Sequence, residues 1–148
     1  MTARREIEVL VRGLCAARVA SDMDTLRQGY ADNATFRIAG SPAWGPLTAS
    51  LDGHAAIMAR FESNIASLPL GDFAILDLVV EGNQAAVRWR ATVRDGEAKD
   101  DGTTEVAQFL EVENGKVISL VEFLDTAFAV SVLDKTCAPQ AAKTEELS

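Results

Sequence analysis

Residues 114–127 read NGKVISLVEFLDTA, a turn signal followed by a mainly apolar run, and this stretch closes a series of four strand-like segments. The three earlier segments cover residues 73–81, 84–94 and 103–113. An Asn-Gly pair is strongly favoured in tight β-hairpin turns. Over residues 84–94 apolar and polar side chains alternate, which is the period of a half-buried strand. The second half of the chain therefore predicts a meander of antiparallel strands.

Three helical patterns and one further β-prone run precede this meander. An apolar stripe with the spacing i, i+3, i+4 and i+7 begins at Ile7, a shorter stripe follows residues 21–22, and a third follows Asp52. Residues 35–39 are β-prone and separate the second helix from the third. The order ααβαββββ predicts an α+β fold in which three helices pack on one face of a strongly curved antiparallel sheet. Such a sheet coils into a cone that contains a pocket.

The chain of 148 residues has the length of one domain. We expect residues 1–133 to form a single domain and residues 134–148 to form a polar C-terminal tail. Cys15 lies on the apolar stripe of the first helix, so we expect a small core residue of a reduced chain rather than half of a disulfide. A cytoplasmic location fits a reduced chain best.

The charge and hydropathy patterns argue against two classes of partner. The chain carries 22 acidic and 14 basic residues, a net charge of −8, and its only basic cluster is the pair Arg4-Arg5. Binding to the phosphates of a nucleic acid is therefore not expected. No apolar run reaches the roughly 20 residues that a membrane helix needs, and the N-terminus lacks the apolar core of a signal peptide. We expect no membrane partner.

Several short motifs resemble a known superfamily. They are SDMDTL at residues 21–26, YADNATF at 30–36, GHAAI at 53–57, GKVI at 115–118 and VEFLDTA at 121–127. Together they resemble the nuclear transport factor 2-like superfamily, and within it the SnoaL-like, ketosteroid-isomerase-related proteins. The resemblance implies a cystatin-like cone and a homodimer. The superfamily includes isomerases, dehydratases, polyketide cyclases, epoxide hydrolases and non-catalytic domains, so the resemblance implies no single reaction.

The residues required by two of these enzymes are missing. Ketosteroid isomerases use a tyrosine, a base aspartate and a protonated aspartate, and by motif spacing these positions are Leu14, Ile38 and Ala107, which are all apolar. In the arrangement of limonene epoxide hydrolase, the position of the last-strand acid corresponds to Glu122, but the position of a second acid corresponds to Arg90. Arginine cannot take the place of an acid that activates water. Neither reaction is supported by the sequence.

Glu122 is nevertheless the leading candidate for a catalytic residue. Its predicted neighbours on the same strand face are Ile118, Leu120 and Leu124, so the carboxylate is expected on the concave, apolar face of the sheet. There it acts as an acid or base, with Arg90 as a second catalytic residue. The alternative is that Glu122 is a structural partner of Arg88 or Arg90.

The orientation of the strand that contains Arg88 and Arg90 is left open by the sequence. The resemblance places both side chains inside the cone, where they bind a carboxylate or enolate oxygen of a substrate. Hydrophobicity instead places Val87 and Trp89 inside and the arginines outside. Arg88 is accordingly a candidate for substrate binding.

Two aromatic residues complete the candidate site. Tyr30 is expected in the core or in the pocket lining, and Trp44 on a loop rich in proline and glycine is expected at the pocket mouth. His54 is the only histidine, and no second His or Cys has the spacing of a metal ligand, so neither a metal nor another cofactor is expected.

Two kinds of function fit these observations. One is an enzyme acting on a small, largely apolar compound with a carbonyl or hydroxyl group, which includes isomerase, cyclase and hydrolase chemistry. The other is a non-catalytic module that binds a small apolar ligand or serves in dimerisation. Trp89, or Val121 with Phe123, are the candidate contacts of the expected homodimer.

Overall fold

The computed structural model describes residues 3–94, 100–126 and 129, and all structural statements below concern this part of the chain. Its three helices are α1 (Ala3–Ala20), α2 (Met23–Gly29) and α3 (His54–Ser67). Its six strands are β1 (Tyr30–Ile38), β2 (Leu51–Asp52), β3 (Leu70–Glu81), β4 (Gln84–Arg94), β5 (Asp100–Glu113) and β6 (Lys116–Phe123). A short 3-10 segment, Pro42–Thr48, leads from β1 to β2.

The six strands form one curved, unclosed sheet in the order β2-β1-β6-β5-β4-β3. The predicted α+β fold is confirmed, and the predicted meander corresponds to β3 to β6, which pair antiparallel. Two features were not predicted. The two-residue strand β2 pairs with β1, and β1 runs parallel to β6 rather than antiparallel. In this order β1 lies between β2 and β6, so the first strand of the chain is the neighbour of the last.

Irregular pairing accompanies the curvature of the sheet. Register shifts occur between β1 and β6, between β3 and β4, between β4 and β5, and between β5 and β6. Extra residues of this kind bend a strand and increase its twist. At the last shift Val112 pairs with Val117 while Glu111 pairs with Ser119, so Ile118 is the extra residue. Val117 is consequently buried in place of Ile118, which corrects the predicted face of β6 before Leu120.

The helices cover the concave face of the sheet through their apolar stripes. In α1 the buried residues include Ile7, Val11 and Leu14, as the helical spacing predicted. Asp22 caps α2 by accepting a 3.2 Å hydrogen bond from the backbone nitrogen of Thr25. These local signals are strong because they depend only on residues within one or two helical turns.

Aromatic contacts join α3 to the sheet. The Phe61 ring lies edge-on to Tyr30 with 5.2 Å between ring centres, and 5.6 Å from the ring of Phe36. Tyr30 and Phe36 belong to β1 and are almost completely buried. This cluster holds α3 against the strand that forms one wall of the cone.

Some sequence predictions fall outside the described residues. They are the end of the domain at residue 133, the polar tail at 134–148, and most of the loop between β4 and β5. None of the helices that the structure describes is long and apolar enough to cross a membrane.

Candidate functional site

A cavity of about 60 Å³ lies between the concave face of the sheet and helices α1 and α3. Its apolar wall includes Val11, Leu14, Leu26, Phe61, Val106 and Leu110. The polar side chains that reach it include Arg18, Tyr30, Asn64, Thr104, Gln108 and Glu122. A mainly apolar cavity with a few polar groups is the usual form of a small-molecule site.

Glu122 on β6 presents its carboxylate to this cavity, as its leucine neighbours predicted. The side chain is half-buried because the cavity, rather than packed protein, lies against part of its surface. Burial raises the pKa of the Glu122 carboxyl above its usual range, while the hydrogen bond from Gln108 and the charges of Arg18 and Arg60 oppose this rise. A carboxyl group whose pKa is shifted by burial in a cavity is a candidate for proton exchange with a bound molecule.

Gln108 on β5 holds the Glu122 carboxylate in place. Gln108 Nε2 donates a 2.7 Å hydrogen bond to Glu122 Oε2, and Trp89 Nε1 donates a 3.3 Å hydrogen bond to Gln108 Oε1. The indole nitrogen can only donate, so it selects the amide oxygen of Gln108 and leaves the amide nitrogen for the carboxylate. The result is a relay Trp89–Gln108–Glu122 of fixed orientation.

Arg18 on α1 brings a positive charge to the same cavity. Its Nη2 donates hydrogen bonds to the carbonyl oxygens of Leu68 at 2.9 Å and Asn64 at 3.3 Å, at the C-terminal end of α3. Burial lowers the pKa of Arg18 and the negative charge of Glu122 opposes this, so the two charges interact although they form no ion pair. The guanidinium remains protonated at neutral pH.

Tyr30 and Cys15 also line the cavity, near Glu122. Burial raises the pKa of the Tyr30 hydroxyl far above its usual value, and the charge of Glu122 adds to the effect. Burial likewise raises the pKa of the Cys15 thiol to about 12, again with a contribution from Glu122. Both groups are therefore neutral and can donate hydrogen bonds, and neither supplies a nucleophile at neutral pH.

Comparison with known proteins shows the family to which this chain belongs. The family model of the SnoaL-like domain matches residues 11–120, which is more than half of the chain. The chain belongs to the SnoaL-like domain family. No curated protein is significantly similar to it in sequence.

Solved structures share the fold of this SnoaL-like protein at low sequence identity. A proposed isomerase from Bacillus subtilis is 15% identical, with a TM-score of 0.77 over 89% of this chain and 95% of that one. An LEH-like epoxide hydrolase from M. tuberculosis is 13% identical, with a TM-score of 0.69 over 85% and 87%. A protein of ketosteroid isomerase-like fold from Catenulispora acidiphila, in complex with trimethylamine, is 14% identical, with a TM-score of 0.66 over 84% and 91%. These similarities establish the fold alone.

Arg88 and Arg90 lie outside the cavity of this SnoaL-like domain, contrary to their assignment to the site. Both are exposed on the outer face of β4, whereas Trp89 between them is 3% exposed and lines the cavity. Arg88 pairs there with Asp77 at 2.7 Å and with Glu105 at 2.8 Å. The strand follows its hydrophobic alternation because burying two guanidinium groups in place of Val87 and Trp89 is unfavourable. The structure therefore does not bring Arg90 to Glu122.

The two tryptophans differ in their relation to the cavity. Trp44 in the 3-10 segment is half-buried against the core and is not among the residues that line the cavity, so the structure does not place it at a pocket mouth. Trp89 is buried in the cavity wall instead, and it is therefore unavailable as a dimer contact.

His54 has a structural position at the start of α3. Its Nε2 lies 2.8 Å from the carbonyl oxygen of Arg27, near the end of α2, and so links the two helices. Among the residues that the structure describes, no group of three or more His, Cys, Asp or Glu side chains is placed to hold a metal ion.

Sequence reasoning missed Gln108 and Arg18. The comparison with ketosteroid isomerases pointed to Ala107, but Ala107 pairs with Arg88 and Phe123 and shares their outer face. The inward residue is its neighbour Gln108, so the predicted position was wrong by one residue. Arg18 could have been found, since it follows Val11 and Leu14 at i+7 and i+4 and so continues the apolar stripe of α1 with a charge.

Proposed function

We propose that this SnoaL-like protein is an enzyme that transfers a proton on a small, largely apolar substrate carrying a carbonyl or hydroxyl group. Glu122 is the general acid–base. The observation that carries the proposal is its carboxylate, which faces an apolar cavity and is oriented by the 2.7 Å hydrogen bond from Gln108. An oriented carboxylate of raised pKa is a stronger base than one in water.

The surroundings of Glu122 support proton transfer next to a carbonyl group. The neutral Tyr30 hydroxyl lines the same cavity, and it makes no hydrogen bond to another described residue, so it is available to donate one to a substrate oxygen. Loss of a proton beside a carbonyl places negative charge on that oxygen, and a donor aimed at it stabilises the transition state. Isomerisation and aldol-type cyclisation both begin with this step.

A binding module without catalysis is the second candidate. It is favoured by the narrowness of the cavity, about 60 Å³, and by the apolar residues at all three positions expected from ketosteroid isomerases. In this case Glu122 only accepts a hydrogen bond from a bound ligand.

Hydrogen–deuterium exchange distinguishes the two candidates. The protein is incubated in D₂O with a panel of small ketones, aldehydes and keto acids, and loss of the proton signal next to the carbonyl is followed by NMR. The enzyme proposal expects catalysed exchange that falls roughly 100-fold or more in Glu122→Gln, since general-base catalysis contributes on this scale. Glu81→Gln removes the same charge at an exposed position and is expected to retain full activity.

The results have separate meanings. Exchange that survives unchanged in Glu122→Gln contradicts the assigned role of the carboxylate. Ligands that raise the melting temperature but show no exchange, on the full panel, support the binding module instead.

We also propose a homodimer formed through the outer face of the sheet. Its support is an exposed aromatic pair, Phe109 and Phe123, which are 53% and 49% exposed and meet edge-to-face with 5.7 Å between ring centres. Val121 pairs with Phe109 across the strands and lies on the same face as Phe123. Exposed aromatic clusters of this kind are typical of interface centres.

A cytoplasmic location is proposed as well, on the basis of cysteine chemistry. Cys15 is a buried free thiol, which suits a reducing compartment.

A further inference from the structure

Arg18 brings a partly buried positive charge to the cavity. It lines the cavity from α1, and its described hydrogen bonds, to Asn64 and Leu68, both come from Nη2. A guanidinium has five N–H donors. Its Nε and Nη1 donate to no described residue, so their N–H groups are left for the cavity contents.

The anchoring of Arg18 suits ligand binding. The two carbonyl oxygens belong to Asn64, in the last turn of α3, and to Leu68, which follows the helix, and the helix dipole favours a positive charge there. They hold the Nη2 end of the planar guanidinium and thereby restrict its orientation. A guanidinium that is already ordered loses little entropy when its remaining N–H groups donate charge-assisted hydrogen bonds to a carboxylate.

The cavity therefore contains two opposite charges that do not pair with each other. Arg18 and Glu122 shift each other's pKa through their charges. Each nevertheless has other hydrogen-bond partners: Arg18 donates to carbonyl oxygens at the end of α3, and Glu122 accepts from Gln108. A second carboxylate, the exposed Asp125, also lines the cavity. Apolar residues such as Leu14 and Leu26 form much of the wall around these groups.

We propose that the substrate of this site is a small organic acid, whose carboxylate binds Arg18 while its apolar carbon chain lies along the cavity wall and its reacting carbon faces Glu122. The proposal rests on the proposed function for the role of Glu122 but not for the binding of the acid. It assigns to Arg18 the binding role that the sequence suggested for Arg88.

Binding of isovalerate tests the proposal directly. Isovaleramide has the same shape without the charge, so the two are compared by thermal shift and by calorimetry at equal ionic strength. We expect isovalerate to bind saturably and isovaleramide to bind at least about tenfold more weakly, since charge-assisted hydrogen bonds are about twice as strong as neutral ones. Equal binding of the two compounds, or no binding of isovalerate, overturns the proposal.

Variants locate the binding charge. Arg18→Gln is expected to lose the preference for isovalerate, while Arg18→Lys keeps part of it. Arg12→Gln removes a positive charge from the exposed face of the same helix and is expected to bind like the wild type. Glu122→Gln removes a repelling charge and is expected to bind isovalerate as tightly or more tightly. If Arg18→Gln does not fold, the Arg18→Lys variant and the amide comparison still decide the question.

Deuterium exchange separates this proposal from the proposed function. The substrates are α-ketoisocaproate and methyl isobutyl ketone, in which a methyl group replaces the carboxylate. Exchange of the keto acid that depends on both Arg18 and Glu122 supports both proposals. Binding of the keto acid through Arg18 without exchange leaves the acid-binding site in place and rejects the enzyme. Exchange of the neutral ketone at the same rate, independent of Arg18, supports the enzyme and rejects the acid-binding site.

Discussion

Gln108 and Glu122 are direct cross-strand partners on β5 and β6, and the amide of Gln108 donates a 2.7 Å hydrogen bond to the carboxylate of Glu122. Trp89 fixes the amide from the other side. The orientation of the carboxylate thus depends on three neighbouring strands, β4, β5 and β6. An ionisable group positioned in this way keeps its direction while its protonation changes.

The substitution Gln108→Leu is expected to disturb the acid–base properties of Glu122. The hydrogen bond from Gln108 lowers the pKa of Glu122, so its loss raises that pKa further, and the acid limb of the pH–rate profile of kcat/KM moves to higher pH. The free energy of unfolding falls by roughly 1–3 kcal/mol because the buried Trp89 nitrogen loses its acceptor. Gln84→Leu at the exposed start of β4 is the control. An unchanged pH–rate profile in Gln108→Leu contradicts this account.

The stability of the protein is expected to depend on pH through Glu122. Its folded-state pKa is raised above the ordinary 4.5, so the folded state holds the proton more tightly than the unfolded state. The stabilisation from this group is complete below the ordinary value and is lost as pH rises through the folded pKa. Glutamine does not titrate. In urea unfolding at a series of pH values, the free energy of unfolding of Glu122→Gln should therefore increase relative to that of the wild type as pH rises above 4.5.

The exposed Glu81→Gln variant should not reproduce this trend. A difference between Glu122→Gln and the wild type that stays constant with pH argues against a desolvated carboxyl at position 122.

Cys15 is expected to be unreactive in the folded protein. With a pKa of about 12, the thiolate makes up only about one part in ten thousand at a pH near 8. In a Cys137→Ser background, where Cys15 is the only thiol, an aromatic disulfide reagent should label the protein only after unfolding in urea. Native labelling at the rate of a free thiol shows that the thiol is open to solvent.

The proposed homodimer is expected to depend on the aromatic pair of the outer sheet face. Replacing Phe109 and Phe123 by serine removes the exposed rings, and sedimentation at about 20 µM should then change from dimer to monomer. Val9→Ser removes an exposed apolar side chain from α1, away from this face, and should leave the dimer intact. A wild type that sediments as a monomer at this concentration rejects the dimer.

The sequence alone predicted the elements and their order because the signals are local. Hydrophobic alternation over residues 84–94 and the Asn-Gly turn before β6 depend on neighbours in the chain, and the observed meander agrees with them. The same alternation correctly placed the side chains of Arg88 and Arg90 outside the cone, whereas the strand orientation implied by the resemblance placed them inside. At this strand the physical pattern was a better guide than the family pattern.

The position of Glu122 was predictable for a related reason. Leu120 and Leu124 flank it at the period of a strand, so one face of β6 had to carry both the leucines and the carboxylate. Its role in catalysis remains a prediction.

Only the tertiary structure decided which groups surround that carboxylate. Gln108 reaches Glu122 through the register of β5 against β6, and an irregular residue such as Ile118 shifts register without leaving a clear mark in the sequence. Arg18 reaches the cavity because α1 packs across the sheet, and its hydrogen-bond partners Asn64 and Leu68 lie 46 and 50 positions further along the chain. Local patterns predict the face of its helix or strand on which a side chain lies. The packing of one helix or strand on another then determines which side chains meet.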